Sequence, residues 1–258
     1  MAWNKGLLRL KLRALCIHLA ISALVFLPIL YLLWVSWFPA PFFFTDGGVQ
    51  GLRIMLAVDL VIGPSLTFLI FNPAKSRREL TLDFSLIALI QIAALSYGLF
   101  NVEQKRIWAI TLQDGVFHAV SADAYKSQKV PAEQWSQYGP HPPYWVLVRS
   151  PKNQDEAAGI GAYAMIEGLE SFQLQFLYEP LSQHLDVIKQ YPPSAFSMAG
   201  NVTDDQNQRQ YQNQHPEALY FIRHQGYFRD AVLAFDAHGD YVGAVYSSDV
   251  HTYEKATK

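Results

Sequence analysis

Two aspartates, Asp59 and Asp83, stand inside long apolar runs of this 258-residue chain. Paired carboxylates about 3 Å apart can share a proton and do acid–base chemistry. The positions of these two predict otherwise. Asp59 falls near one surface of a ~30 Å hydrocarbon core and Asp83 near the other, roughly 15–20 Å apart along the normal. Each reads instead as an interhelix fastener, because a charge at the bilayer centre costs about 2.5–3.5 kcal/mol and calls for a partner. At about 1.5 Å per residue, His18 and Asp83 both sit about 4–5 Å inside the same end, so they are expected to pair. Tyr31 and Tyr97 reach the depth of Asp59. A proton or ion path is the weaker reading, since polar groups are few and no inverted repeat is visible.

The remaining chemistry-bearing residues form no recognisable site. Histidines 118, 141, 184, 215, 224, 238 and 251 include no pair four apart on one predicted helix, the spacing that a helical metal site uses. Asp236-x-His238-x-Asp240 has the composition of a hairpin turn, with cation binding the lesser alternative. Gly159-x-Gly161 lacks a third glycine and lies within a predicted helix, not after a strand. Asn201-Val202-Thr203 matches a glycosylation acceptor, a common chance match. Nucleophile-elbow, zincin and phosphate-loop motifs are absent from the sequence. Cys16 is the sole cysteine, which excludes an intrachain disulfide and a cysteine-based metal centre. No catalytic residue, cofactor or metal is expected.

The elements that must carry these residues divide at about position 100. Residues 1–100 hold eight Lys/Arg and four Asp/Glu, and residues 101–258 hold twelve and eighteen. A basic apolar half joined to an acidic polar half reads as two bodies. The acidic half, without a basic stripe, excludes a nucleic-acid partner. Residues 14–37, 54–71 and 80–100 are long and apolar enough to cross a membrane, making 14–100 a three-helix domain behind a tail over 1–13. The first run is too long for a signal-peptide core and is read as an uncleaved anchor. Lys5, Arg9, Lys11 and Arg13 in the tail, with Lys75, Arg77 and Arg78 after the second run, face only Arg53 between the first two runs. The positive-inside rule then places the N-terminus in the cytoplasm and 101–258 outside. Trp34, Trp37, Phe38 and Phe42–Phe44 mark the outer interface. Gly63-Pro64 breaks the second span and Pro28 kinks the first, as a docking notch for another helix or as packing geometry alone.

In the outer half, Asp114-Gly115 between apolar runs predicts a hairpin over 107–112 and 116–121. Further strands are predicted over 144–149, 218–223, 231–236 and 241–247, and helices over 155–168 and 179–190, the latter ended by Pro192-Pro193. The Gln/Asn-rich stretch 204–215 has no apolar period and is expected to be a loop. The fold class expected is a membrane protein with three N-terminal transmembrane helices followed by an extracytoplasmic α+β domain with a mainly antiparallel sheet.

Three strings within residues 15–100 resemble the TfpX/TfpZ family of bacterial type IV pilin accessory proteins. They are Ile17-His18-Leu19-Ala20-Ile21-Ser22 with Trp37-Phe38-Pro39; Val58-Asp59-Leu60-Val61-Ile62-Gly63-Pro64 running to Lys75-Ser76; and Asp83 followed by Gln91-Ile92-Ala93-Ala94-Leu95-Ser96-Tyr97-Gly98. The outer half matches more loosely, with Arg106-Ile107 where the family has Arg-Pro. The resemblance implies a non-enzymatic inner-membrane protein with a periplasmic domain that stabilises, or tunes assembly of, a pilin subunit. Its expected partners are that pilin, membrane lipid and other pilus assembly proteins. The candidate structural or partner-contact positions are His18, Asp59, Gly63, Pro64, Asp83, Gln91 and Tyr97. The rival class is a membrane-anchored sensor with a ligand-binding outer domain. Against it, the cytoplasmic portions are too short to carry a signalling output.

Overall fold

The computed structural model of the protein describes residues 5–128, 131–190 and 202–250. The Asn201 acceptor position, Pro192-Pro193 and His251 lie outside the described residues. The chain separates into two units, Met1–Pro39 with Gly48–Glu103, and Ala40–Gly47 with Gln104–Lys258.

The first unit is helical. Helix α1 (Lys5–Tyr31) continues into a π-helical turn over Leu32–Trp37, closed by Phe38 N–H donating to the Leu33 carbonyl at 2.8 Å. A short turn, α2 (Phe42–Thr45), belongs to the second unit. Helix α3 (Gly48–Leu56) passes through a π turn at Ala57–Ile62 into α4 (Gly63–Ile70), and α5 runs over Arg77–Lys105. The three helices long and apolar enough to cross a membrane are Lys5–Trp37, Gly48–Ile70 and Arg77–Lys105. All three begin before the apolar stretches, at Lys5, Gly48 and Arg77, because long basic side chains can reach the interface from within a helix. The second π turn has a local cause. Pro64 has no N–H and its ring collides with the carbonyl of Leu60, and a widened turn around that carbonyl accommodates it. Ser76 starts α5 through a capping box: its backbone N–H and hydroxyl donate to Glu79 at 2.8 and 2.7 Å.

The second unit is a seven-stranded sheet. Its strands are β1 (Ile107–Gln113), β2 (Val116–Ser121), β3 (Tyr144–Val148), β4 (Tyr178–Pro180), β5 (Tyr220–Gln225), β6 (Arg229–Phe235) and β7 (Tyr241–Val250). They lie in the order β4-β3-β1-β2-β5-β6-β7. The pairs β1–β2, β3–β4, β5–β6 and β6–β7 are antiparallel, and β1–β3 and β2–β5 are parallel. The fold is therefore three apolar helices followed by an α+β unit with a mixed, mainly antiparallel sheet. The predicted hairpin forms: Asp114 and Gly115 take φ of 49° and 79° and set Gln113 opposite Val116.

Helices α6 (Ala122–Ser127), α7 (Gln154–Glu167) and α9 (Val202–Gln214) accompany the sheet. Ala109, Val146, Val148, Ile160, Leu174 and Tyr178 share one core with Trp135. Phe117, Trp145 and Phe235 form a second, with ring centroids 5.4–6.1 Å apart.

Two sequence expectations are corrected here. The helix expected over 179–190 is replaced by β4, a 3₁₀ turn at Leu181–Gln183 and the single turn α8 (Leu185–Ile188). Pairing with β3 claims Tyr178–Pro180 and outweighs local propensity. The loop expected over 204–215 is helical within α9, because Tyr211 packs against a cluster of Ala218, Phe221, Val232 and Ala234. One aromatic anchor with a buried Gln208 leaves no apolar period to read.

Candidate functional site

Four polar residues of the helical unit form one hydrogen-bonded chain. His18 Nδ1 lies 2.6 Å from Thr67 Oγ1, and its Nε2 lies 2.8 Å from Gln91 Oε1. Gln91 Nε2 donates to Asp59 Oδ1 at 3.2 Å. A carboxamide oxygen only accepts, so Nε2 of His18 carries the proton toward Gln91. Nδ1 then accepts from the Thr67 hydroxyl, and the neutral ring satisfies both bonds. The chain joins all three spans, with His18 from α1, Asp59 and Thr67 from the broken second span and Gln91 from α5. Asp59 is buried, and its Oδ2 has no hydrogen-bond partner among the described residues.

This geometry places the expected site residues differently from the sequence reading. His18 does not pair with Asp83. Asp83 receives Lys75 Nζ at 2.6 Å. The error lies in the depth estimate. The uncharged run begins at Ala14 but α1 begins at Lys5, so His18 shares a level with Gln91, eight residues beyond Asp83. The two aspartates do not meet. Gly63 is not open to an incoming helix: a Cβ there would fall 1.9 Å from Gln91 Nε2. The missing side chain admits the Gln91 carboxamide of the same molecule. Pro64 is buried beside it, at the start of α4. Tyr97 lies apart from the chain and is 72% exposed.

A second polar node was not foreseen. Asp46, from the connection between the first two spans, accepts from His224 Nε2 at 2.7 Å. His224 Nδ1 lies 3.1 Å from the Phe117 carbonyl and donates to it. Asp46 Oδ1 accepts from the Tyr227 N–H at 3.2 Å, and Phe228 N–H donates to the Thr45 carbonyl at 2.8 Å. Both members of the pair are buried, with side chains 0% and 4% exposed. Phe42 closes over them, 5.2 Å from the His224 ring and 6.1 Å from Trp145. Gly226 makes the approach possible, since a Cβ there would lie 2.8 Å from Thr45 Cβ. Nearby, burial pushes the His118 imidazole down to about 4, aided by the charge of His224, and the ring stacks on Phe172 at 4.3 Å. The one signal available was the parity of β5, which sets His224 on the same face as buried Ile222.

The first node sets a hydroxyl, Thr67, against the His18 imidazole, and the second sets a carboxylate, Asp46, against the His224 imidazole. Among the described residues no group of three or more His, Cys, Asp or Glu side chains is placed to hold a metal. The two nodes are fasteners within the molecule, and three helices long and apolar enough to cross a membrane stand ahead of the sheet unit. No family model matches the chain. No solved structure matches it. Curated relatives do. The fimbrial assembly protein of serogroup E1 from Dichelobacter nodosus is 28% identical over 178 residues, covering 67% of this chain and 68% of that one. The serogroup I protein of the same organism gives the same identity and coverage. The protein of serogroups C1 and C2 is 33% identical over 97 residues, covering 38% of this chain and 74% of its own. The chain belongs to this family of fimbrial assembly proteins.

Proposed function

We propose that the protein is a non-enzymatic accessory factor of type IV pilus biogenesis, of the TfpX/TfpZ kind, that holds a cognate pilin in the inner membrane and stabilises it or tunes its assembly. The observation that supports this most is the relation to fimbrial assembly proteins of Dichelobacter nodosus. The helical unit fits the role. Only 6% of the apolar window of Arg77–Lys105 is buried within the molecule, leaving most of that span to lipid or to another helix. The partner surface in this reading is the outward face of the spans, where Tyr97 and its exposed apolar neighbours Ile90 and Phe100 lie, and not the Gly63 notch. The N-terminus is cytoplasmic and the sheet unit periplasmic in this reading, on the distribution of basic residues.

Deletion of the gene tests it. The expected result is lower surface piliation or a lower pilin level, with prepilin processing unchanged. Normal pili, normal pilin level and normal twitching in the deletion strain would overturn the reading.

A further inference from the structure

A small pocket opens beside the Trp135 core of the sheet unit. It is lined by Gln134, Trp135, Tyr138, Gln175 and Phe176 and holds about 90 Å³. Trp135 and Gln175 are buried, at 2% and 7% exposure. Each has one polar atom without a hydrogen-bond partner among the described residues, the Trp135 Nε1 donor and the Gln175 Oε1 acceptor. Buried polar groups in folded proteins are nearly always hydrogen-bonded, so two orphans in the wall of one pocket call for an explanation.

Neither atom can find a partner by turning. The Trp135 ring is wedged among Trp108, Tyr125, Tyr138, Tyr144 and Tyr178, with centroids 5.0–6.2 Å away. Gln175 Nε2 donates to the Tyr125 carbonyl at 3.3 Å, which fixes the carboxamide and leaves its oxygen over. The Tyr138 hydroxyl is committed to the Tyr178 carbonyl at 3.2 Å. Burial, with the charge of Glu179, pushes the Tyr138 phenol up, so none of the five lining residues carries a formal charge at neutral pH. The yielding side of the pocket is Gln134 and Phe176, both exposed, Phe176 by 54%. Phe176 also meets Tyr163 of α7 edge-on at 5.7 Å, and Ile166, one turn further along α7, is exposed as well.

Size and polarity decide the occupant. A small-molecule ligand takes a pocket of about 300–1,000 Å³, and an apolar cavity of about 150 Å³ is filled by one benzene. The present pocket is smaller than either and admits an aliphatic side chain but not an aromatic ring. One free donor and one free acceptor are the complement of a peptide group, whose carbonyl accepts and whose N–H donates. We propose that the sheet unit docks a polypeptide partner here, taking one aliphatic side chain past Phe176 between the Trp135 and Tyr138 rings, with the adjoining main chain accepting from Trp135 Nε1 and donating to Gln175 Oε1. The exposed Tyr163 and Ile166 give the rest of the partner an apolar surface beside the anchor, which a free small molecule would not use. The inference goes beyond the proposed function: it concerns the sheet unit alone and holds for any polypeptide partner.

Nuclear magnetic resonance of the full chain in detergent, labelled with nitrogen-15 on its tryptophan indoles, tests it. The probe is N-acetyl-leucine-N-methylamide, one aliphatic side chain between two peptide groups. The Trp135 indole peak, assigned by its loss in Trp135→Phe, should move downfield and saturate as its N–H gains an acceptor, while the other indole peaks stay in place. The phenylalanine analogue, too large for the pocket, and free leucine, which brings two charges, should each bind at least about tenfold more weakly. Gln175→Met removes the acceptor at similar size and should weaken the leucine probe about fivefold. Phe176→Ala, at an exposed position outside the core, removes one wall and should weaken it too, with the other indole peaks unchanged. No saturable shift at Trp135, or unchanged affinity in both variants, would overturn the proposal and leave the two orphan atoms to ordered water. Free leucine binding as well as the capped probe would overturn the polypeptide assignment and make the pocket an amino-acid site.

Discussion

Gly63 and Gln91 show how a small residue in a membrane helix can be an internal feature instead of a docking point. A leucine at 63 would occupy the space of the Gln91 carboxamide and break its bonds to His18 and Asp59. Interhelical hydrogen bonds in membranes average about 0.6 kcal/mol, so the larger cost is steric, typically about 1–3 kcal/mol for overpacking. Gly63→Leu is expected to lower the thermal midpoint of the full chain in detergent. Adding Gln91→Ala should recover much of the loss, since leucine then fills the vacated space. A double variant no more stable than Gly63→Leu alone would show that this contact is not the cause. The sequence singled out His18 and Asp59 by type, because polar groups in apolar runs stand out, and Gln91 through the family resemblance. It misassigned the partner of His18, because the edge of a charge-free run does not mark the edge of a helix. Thr67 went unnoticed: one hydroxyl in a span is unremarkable until an imidazole is placed against it.

Among the elements, the Ala40–Gly47 segment is the least expected. By sequence it is an interfacial stretch, its aromatics explained by the membrane surface. In the structure Phe42 and Phe43 are buried, at 1% and 5% exposure, and Asp46 reaches His224. Nothing in local propensity foretells a pairing over such a separation, whereas the 113–116 hairpin is written in two adjacent residues. The pair is a fastener whose loss is asymmetric. Removing one member of a buried ion pair costs about 3–5 kcal/mol, whereas replacing both by apolar groups is often neutral. Asp46→Leu should therefore sharply lower the denaturant midpoint of the sheet unit, followed by tryptophan fluorescence. Asp46→Leu combined with His224→Leu should restore most of it. Equal midpoints for the single and double variants would show that the lost carboxylate, and not the stranded imidazole, sets the cost. Helix α9 is a related case, in which a segment without amphipathic pattern is held by one packed tyrosine.

The whole molecule is basic and apolar in its first hundred residues and acidic and polar beyond, and the two units follow that division apart from Ala40–Gly47. The same asymmetry argues for orientation. With seven basic residues in the tail and the 72–79 loop against one between the first two spans, alkaline phosphatase fused after Lys258 should be active and fused within 72–79 inactive. The reverse pattern would invert the topology. That three long apolar helices precede a helix-plus-sheet domain was legible from charge and apolar runs. The mixed pairing of the sheet was not, because parallel neighbours such as β2 and β5 lie far apart in the chain and no local signal joins them.

The bond between Asp46 and His224 spans 178 residues of chain. At the usual pace of synthesis, about 5–20 residues per second, Asp46 is made about 10–35 seconds before its histidine exists. During that interval the second and third apolar helices are made, while Phe42 and Phe43 have no sheet to cover them. The order of events is thereby constrained: insertion of the spans comes early, and closure of the sheet onto the waiting segment is among the last steps. A ribosome stalled before Arg223 would hold a chain whose three apolar helices are complete and whose sheet unit is still open.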